Sequence, residues 1–150
     1  MKRRSVLLLL PLLLIYGCCC REDSEPELPY DPLDPDGKLL FTLNLQKVPV
    51  DLTDDLPEWL QTQWDVKLIV NKEKRRKMEL FQGEWKGGTV YYIFDPVCLL
   101  CPLLSPAFYS TGEEIDWKAK EKGDDIVRDF CYTSKEWKKI REYDPAADGS

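Results

Sequence analysis

Cysteine carries most of the chemistry that this sequence offers, since the chain has six Cys and no His. Cys98 and Cys101 form a C-x-x-C pair, and such a pair in an exported protein is either a structural disulfide or a redox centre. Cys131 is a third candidate, which could pair with either of them. The lack of His excludes Ser-His-Asp triads, Cys-His dyads and the zinc and haem motifs that need an imidazole.

The sequence around Cys98 and Cys101 favours a structural disulfide over redox catalysis. A redox C-x-x-C normally begins at a helix N-terminus, where the helix dipole lowers the pKa of the first thiol. Here the pair follows a predicted hairpin strand and lies between Pro96 and Pro102. Three thiols without a fourth ligand make a poor zinc site, so we predict no metal ion and no cofactor.

Carboxylate pairs are the other candidate catalytic groups, because glycoside hydrolysis uses two acids about 5–9 Å apart across a cleft. The adjacent pairs are Asp54-Asp55, Glu113-Glu114 and Asp124-Asp125. Neighbours on a strand point to opposite faces, and acids at a helix start cap its free N–H groups. We therefore predict no catalytic residue and interpret the chain as a binding module.

The first 17 residues predict an export signal. Basic residues at positions 2–4 precede an apolar core, Val6–Tyr16, which is shorter than the roughly 20 residues of a permanent membrane span. Gly17-Cys18 then resembles the bacterial lipobox, in which the Cys is acylated and becomes the new N-terminus. Cys18 is the predicted lipidation site, although Cys19 and Cys20 are also candidates and an ordinary secretory signal is the alternative.

Residues 18–37 form a predicted tether between the lipid and the fold. Four Pro residues recur at intervals of three with acidic residues between them, a pattern that favours extended polyproline II at about 3.1 Å per residue. Without the three basic residues of the leader, 18 basic and 27 acidic residues remain, a formal charge of −9. Such a charge repels nucleic acid, so we expect no nucleic-acid partner.

Residues 38–143 form the predicted globular domain, followed by a frayed tail at 144–150. Period-2 apolar spacing predicts a strand over 38–45, and apolar residues at helical spacing predict a helix over 54–71 that Asp54 or Asp55 caps. The basic run that follows, at positions 72–77, is interpreted as a solvated helix end.

The second half of the domain predicts most of a sheet. Lys86-Gly87-Gly88 predicts a tight hairpin between strands at 78–85 and 89–94. A third strand over 107–110 with a short returning arm, and then a helix over 124–132, are also predicted. The spacing of Trp137, Ile140 and Tyr143 fits either a strand or a helical turn. The predicted fold class is α+β, an antiparallel sheet of four or five strands packed on one or two helices.

Eight aromatic residues lie between Met78 and Trp117, and alternation along strands would place half of them away from the core. Two interpretations follow: the rings enlarge the core of a small domain, or some of them form an exposed surface that binds protein, peptide or glycan. The candidate binding surface consists of Trp85, Tyr91, Tyr92 and Phe94.

Four segments also resemble those of a group of small uncharacterised lipoproteins from Bacteroidetes: Leu56–Leu60, Gly83–Gly87, Val90–Phe94 and Cys98-x-x-Cys101. The acidic Glu22-Asp23 after the lipobox is similar to the surface-export signal of that group. The resemblance implies a lipid-anchored outer-membrane protein, exposed at the surface, and it implies no activity.

The expected function is therefore a membrane-anchored, non-catalytic interaction module. The alternative is a periplasmic thiol–disulfide redox protein that uses Cys98 and Cys101, and an inhibitor of other enzymes is a third hypothesis.

Overall fold

A computed structural model of the chain describes residues 31–95, 104–121 and 124–147. The helices and strands follow one another along the chain as α1 (Lys38–Leu45), α2 (Glu58–Glu73), β1 (Met78–Trp85), β2 (Gly88–Phe94), β3 (Ala107–Tyr109), β4 (Lys120–Glu121), β5 (Asp124–Asp125), α3 (Ile126–Thr133) and β6 (Lys135–Tyr143). Four strands form an antiparallel sheet in the order β3-β2-β1-β6, and β4 pairs with β5. The predicted α+β class is confirmed, with three described helices where one or two were expected.

The predicted hairpin is confirmed as β1 and β2, and it lies at the centre of the sheet. Its register pairs Leu80 with Ile93 and Trp85 with Gly88. The two turn residues, Lys86 and Gly87, have φ values of 50° and 74°. Positive φ at both central positions is the type I′ geometry, which matches the twist of the flanking strands.

Helices cover both faces of the sheet. On one face, Phe81, Trp85 and Tyr92 pack with Phe41 of α1 and Phe130 of α3. The opposite face packs against α2, whose apolar residues Leu60 and Trp64 are buried against five strand residues. These are Met78, Leu80, Ile93, Phe108 and Ile140. The domain therefore has three layers, with the sheet in the middle.

The strand predicted over 38–45 is wrong, because this segment is the helix α1. Phe41 and Leu45, four residues apart, are buried on one face, whereas Leu39 and Leu43 are exposed. Leucines occupy both phases of the segment, so its spacing fits a strand and a helix alike. The Asp34 carboxylate accepts hydrogen bonds from the first-turn N–H groups of Leu39 and Leu40, which stabilises the helical start.

The other two helices lie close to their predicted positions. α2 begins after Pro57 without a side-chain cap, so the predicted capping by Asp54 or Asp55 is wrong. α3 begins at an acidic residue as expected, since the Asp125 carboxylate accepts from the N–H groups of Val127 and Arg128 at 2.9 and 3.3 Å. This Asp125 arrangement is an N-cap in its ordinary form.

The outer strands settle two further predictions. β3 turns back through Gly112 to a short arm that forms a bridge between Phe108 and Glu114. β6 resolves the ambiguous C-terminal segment as a strand, because its residues pair with β1. The segment 49–53 runs beside β6, where Lys139 N–H donates to the Pro49 carbonyl and Asp51 N–H donates to the Lys139 carbonyl. That pairing covers part of an otherwise open sheet edge.

Residues 31–37, the end of the predicted tether, form turns that contact the domain. The N–H of Gly37 donates to the Asp34 carbonyl, and the Tyr132 hydroxyl donates to that same carbonyl at 3.4 Å. A Cβ on Gly37 would lie 2.6 Å from the Tyr132 ring, so the chain passes very close to α3 here. This part of the tether is therefore not extended polyproline II. Within the described ranges, no helix is both long and apolar enough to span a bilayer.

Candidate functional site

The aromatic residues predicted to form a binding surface lie mainly in the core. Trp85, Tyr92 and Phe94 are 2%, 2% and 6% exposed, so the expectation that they form a surface is wrong. Tyr91 is half-buried, with its ring 5.7 Å from that of Trp59 on α2. The prediction failed because it left one face of the hairpin open, whereas helices cover both faces.

Phe130 is the centre of the aromatic cluster on the α1–α3 face. Its side chain is fully buried and contacts five other rings at centroid distances of 5.0–6.3 Å. Most of these contacts are edge-to-face, the arrangement that the ring quadrupoles favour. The indole N–H of the buried Trp85 donates to the Asp129 carboxylate at 3.1 Å, so its one polar atom is satisfied. The cluster therefore stabilises the fold.

Of the three disulfide candidates, Cys131 lies in α3 and is a free thiol. Burial, and then the nearby Asp34 carboxylate, raise the pKa of this thiol well above its usual range. A protonated, half-buried thiol in an apolar setting is a poor nucleophile. Cys98 and Cys101 lie outside the described residues, so a bridge between them stays a prediction, and so does acylation of Cys18.

The stability of the protein should fall as the pH rises above about 9. The pKa of Cys131 is raised from its ordinary value of 9.0, and burial raises that of Tyr92 from 10.0. The unfolded chain loses these protons first, so their stabilising contribution is complete below the unfolded pKa and is lost as the pH rises towards the folded one. Each group can remove about 1.4 kcal/mol per pH unit.

Urea unfolding at intervals between pH 7 and pH 11 measures this loss. In Cys131→Ala the free energy of unfolding should begin to decline one pH unit higher, near the ordinary pKa of Tyr92, 10.0. A free energy of unfolding that stays constant up to pH 11 in the parent chain would contradict the assignment.

One carboxylate in the described chain, that of Glu79, is almost fully buried. Its Oε1 accepts from Lys77 Nζ at 3.1 Å and from Lys139 Nζ at 3.0 Å. Lys139 also contacts Glu142 at 2.6 Å. Burial lowers the pKa of Lys139, but the hydrogen bonds to Glu142 and Glu79 outweigh it and the pKa is raised. The pair of Glu79 and Lys139 joins β1 to β6. Breaking a buried ion pair is costly, so we assign the cluster a structural role.

The carboxylate pairs are dispersed in the structure. Asp54 and Asp55 are exposed before α2, Glu113 and Glu114 are exposed beside β3, and Asp125 caps α3. Within the described residues, no group of three Cys, Asp or Glu side chains could hold a metal ion.

Exposed apolar residues form two candidate interaction surfaces, one at α1 and one on α2, which the sequence did not lead us to predict. The leucine surface consists of Leu33 and three residues of α1, Leu39, Leu40 and Leu43. The α2 surface consists of Val66, Ile69 and Val70, which are 59%, 62% and 44% exposed. Their i, i+3, i+4 spacing was a readable signal, because it places a second apolar stripe opposite Leu60 and Trp64.

Comparisons with protein-family models, curated proteins and solved structures found no match to this chain.

Proposed function

We propose that this chain is an exported lipoprotein, anchored through Cys18 to the bacterial outer membrane and exposed at the cell surface, whose domain acts by binding. The α2 surface is the observation that carries the binding role. Exposed β-branched residues cluster on a well-formed helix, and an aliphatic stripe of this kind is typical of a helix that packs against another protein surface. These exposed residues support α2, and not the aromatic hairpin, as the interaction site.

The path of the chain limits the distance between the domain and the membrane. Residues 31–37 contact α1 and α3, which leaves only 12 residues, 19–30, between Cys18 and the fold. Those residues reach at most about 45 Å when fully extended. The acidic mature chain is repelled by anionic lipid, so the domain stands off the membrane at the end of this short tether.

Replacing Cys18 by Ala should release the protein from membranes. Several acyl chains at about 0.8 kcal/mol per buried CH₂ hold a protein almost irreversibly, and the substitution removes all of them. Cell fractionation and metabolic labelling with palmitate measure the change. Cys19→Ala and Cys20→Ala are matched controls, which should keep both the label and the membrane fraction. A Cys18→Ala protein that stays labelled and bound to membranes would overturn the proposed anchor.

A further inference from the structure

The outward face of α2 has a self-complementary pattern of apolar residues and charges. Leu60 and Trp64 point into the core, and Val66 and Ile69 lie on the other side of the helix. α2 is the outermost layer of its side among the described elements, so a second helix can approach this face. Ridges of side chains at i and i+4 spacing are the features by which two helices pack.

The charges along α2 are polarised from one end to the other. Exposed acids precede the helix and occupy its first turn: Asp54, Asp55 and Glu58. Exposed bases predominate in the last turn and the residues that follow, where Lys72, Lys74 and Arg75 outnumber the one exposed acid, Glu73. In antiparallel orientation the basic end of each copy faces the N-terminal half of the other helix, residues 58–65, where both charged residues are acids, and the two helix dipoles also oppose. A parallel orientation would bring like charges together.

We propose that the α2 surface binds the α2 surface of a second copy of this chain, antiparallel and about a twofold axis near Ile69. In this register Val66 lies opposite Val70 of the second copy, and Asp65 lies opposite Lys72 of the second copy. Asp65 and Lys72 are both exposed and lie on the same flank of the helix, which a twofold axis brings together. This inference deepens the proposed function, on which it rests, because it names the partner of the α2 surface.

The surface is small, so the dimer is a weak one. Interfaces below about 1,200 Å² belong to transient complexes. Anchoring in a membrane raises the effective concentration of a tethered domain, which favours such a contact between neighbours. The existing contacts of the two charged residues are compatible with it: Asp65 accepts from Gln61 Nε2 at 2.8 Å, and Lys72 Nζ lies 5.7 Å from the Tyr143 ring centroid.

A charge-exchange experiment with full-length chains tests the proposal in cells. Two copies with different tags are co-expressed, one of them with a photo-crosslinking amino acid at the exposed Thr62. Asp65→Lys in both copies places two lysines opposite each other at both symmetry-related contacts, and Lys72→Asp in both copies places two acids there. Each should reduce cross-linking between the tags about tenfold.

The mixed pair is the decisive measurement. A copy with Asp65→Lys and a copy with Lys72→Asp restore an attraction at both contacts, so cross-linking should return to near the parent level. The control pair is Lys47→Asp with Glu136→Lys, which changes exposed charges in the same way outside α2 and should change nothing. Thermal unfolding verifies that every variant folds.

Two outcomes would overturn the inference. Equal cross-linking in the mixed pair and in the two pairs whose copies carry the same substitution would contradict the register. A cross-link from Thr62 to a different protein, with none between tags, would reject the second copy as the partner and retain the interaction module. Absence of any cross-link would overturn both proposals for α2, and membrane release by Cys18→Ala would still test the anchor separately.

Discussion

Replacing Phe130 by Ala should lower the free energy of unfolding by about 3–5 kcal/mol. The Phe130 side chain is fully buried, and its ring touches Phe41 of α1, Trp85 and Tyr92 of the sheet, and Trp137 of β6. Truncation therefore removes contacts to α1 and to three strands of the sheet, and it leaves a cavity among rigid rings, which cannot collapse to fill it. Domains of this size are stable by only about 5–15 kcal/mol, so the loss is a large fraction of the total.

Urea unfolding followed by tryptophan fluorescence measures the effect, since several of the contacting rings are Trp. Phe130→Leu retains much of the volume and should cost less than half as much. Leu43→Ala is a control at a residue that is 51% exposed, and it should change the free energy of unfolding by less than about 0.5 kcal/mol. A Phe130→Ala protein with nearly parent stability would show that the cluster is not a cooperative core.

Gly83→Ala should destabilise the protein by about 1–3 kcal/mol through overpacking. Gly83 lies in the middle of β1, and a Cβ built there would be 2.5 Å from Cδ2 and 2.6 Å from Cε3 of Trp137. Cδ2 is one of the two atoms shared by both rings of the indole and Cε3 is bonded to it, so the whole side chain must shift. Trp137 cannot shift freely, because its ring contacts Phe41, Tyr92 and Phe130, and its N–H donates to Ser134 Oγ at 3.1 Å.

Gly88 is a matched control in the adjacent strand. The nearest atom to a Cβ at Gly88 is the Trp85 carbonyl oxygen at 3.8 Å, an ordinary contact distance, so Gly88→Ala should be neutral or slightly stabilising. Combining Gly83→Ala with Trp137→Phe should cost less than the sum of the two single changes, because the smaller ring leaves space for the methyl group. Additive costs would mean that Trp137 is not the residue that clashes with a methyl group at position 83.

The abundance of aromatic residues in the hairpin region serves the interior of the protein. A small domain must bury enough apolar area to offset the entropy lost on folding, and large rings provide the most area per residue. The large apolar residues that are exposed in the described chain are aliphatic, and most of them lie on α1 and α2. The candidate interface therefore moves from the aromatic hairpin to the outer surface of α2.

Elements with strong local signals were predicted well. The β1–β2 hairpin follows from Lys86-Gly87, since few residues other than Gly tolerate the positive φ of its turn. α3 follows from an acidic cap placed before a run with helical spacing. α1 was missed because its cap comes from Asp34, a residue before the segment, and because its leucines fit two periods. Its cap and its buried neighbours on α3 and β6 select the helix.

The candidate site was harder to predict than the fold. Alternation along a strand tells which residues share a face, yet the predicted surface included both Tyr91 and Tyr92, which lie on opposite faces of the sheet. It carries no information on whether a helix packs over that face. The exposed stripe of α2 could be found from spacing alone, but its exposure depends on which side of the helix faces the sheet.

The sequence by itself determined the α+β class, the central hairpin, the capped start of α3 and the acidic charge of the chain, because each depends on residues that are neighbours along the chain. It also predicts the leader and the lipid anchor at Cys18. Only the tertiary structure decided that 38–45 is a helix, that both sheet faces are covered, and that Val66 and Ile69 remain outside. These outcomes depend on which elements compete for the same apolar surface, and that competition takes place between residues far apart in sequence.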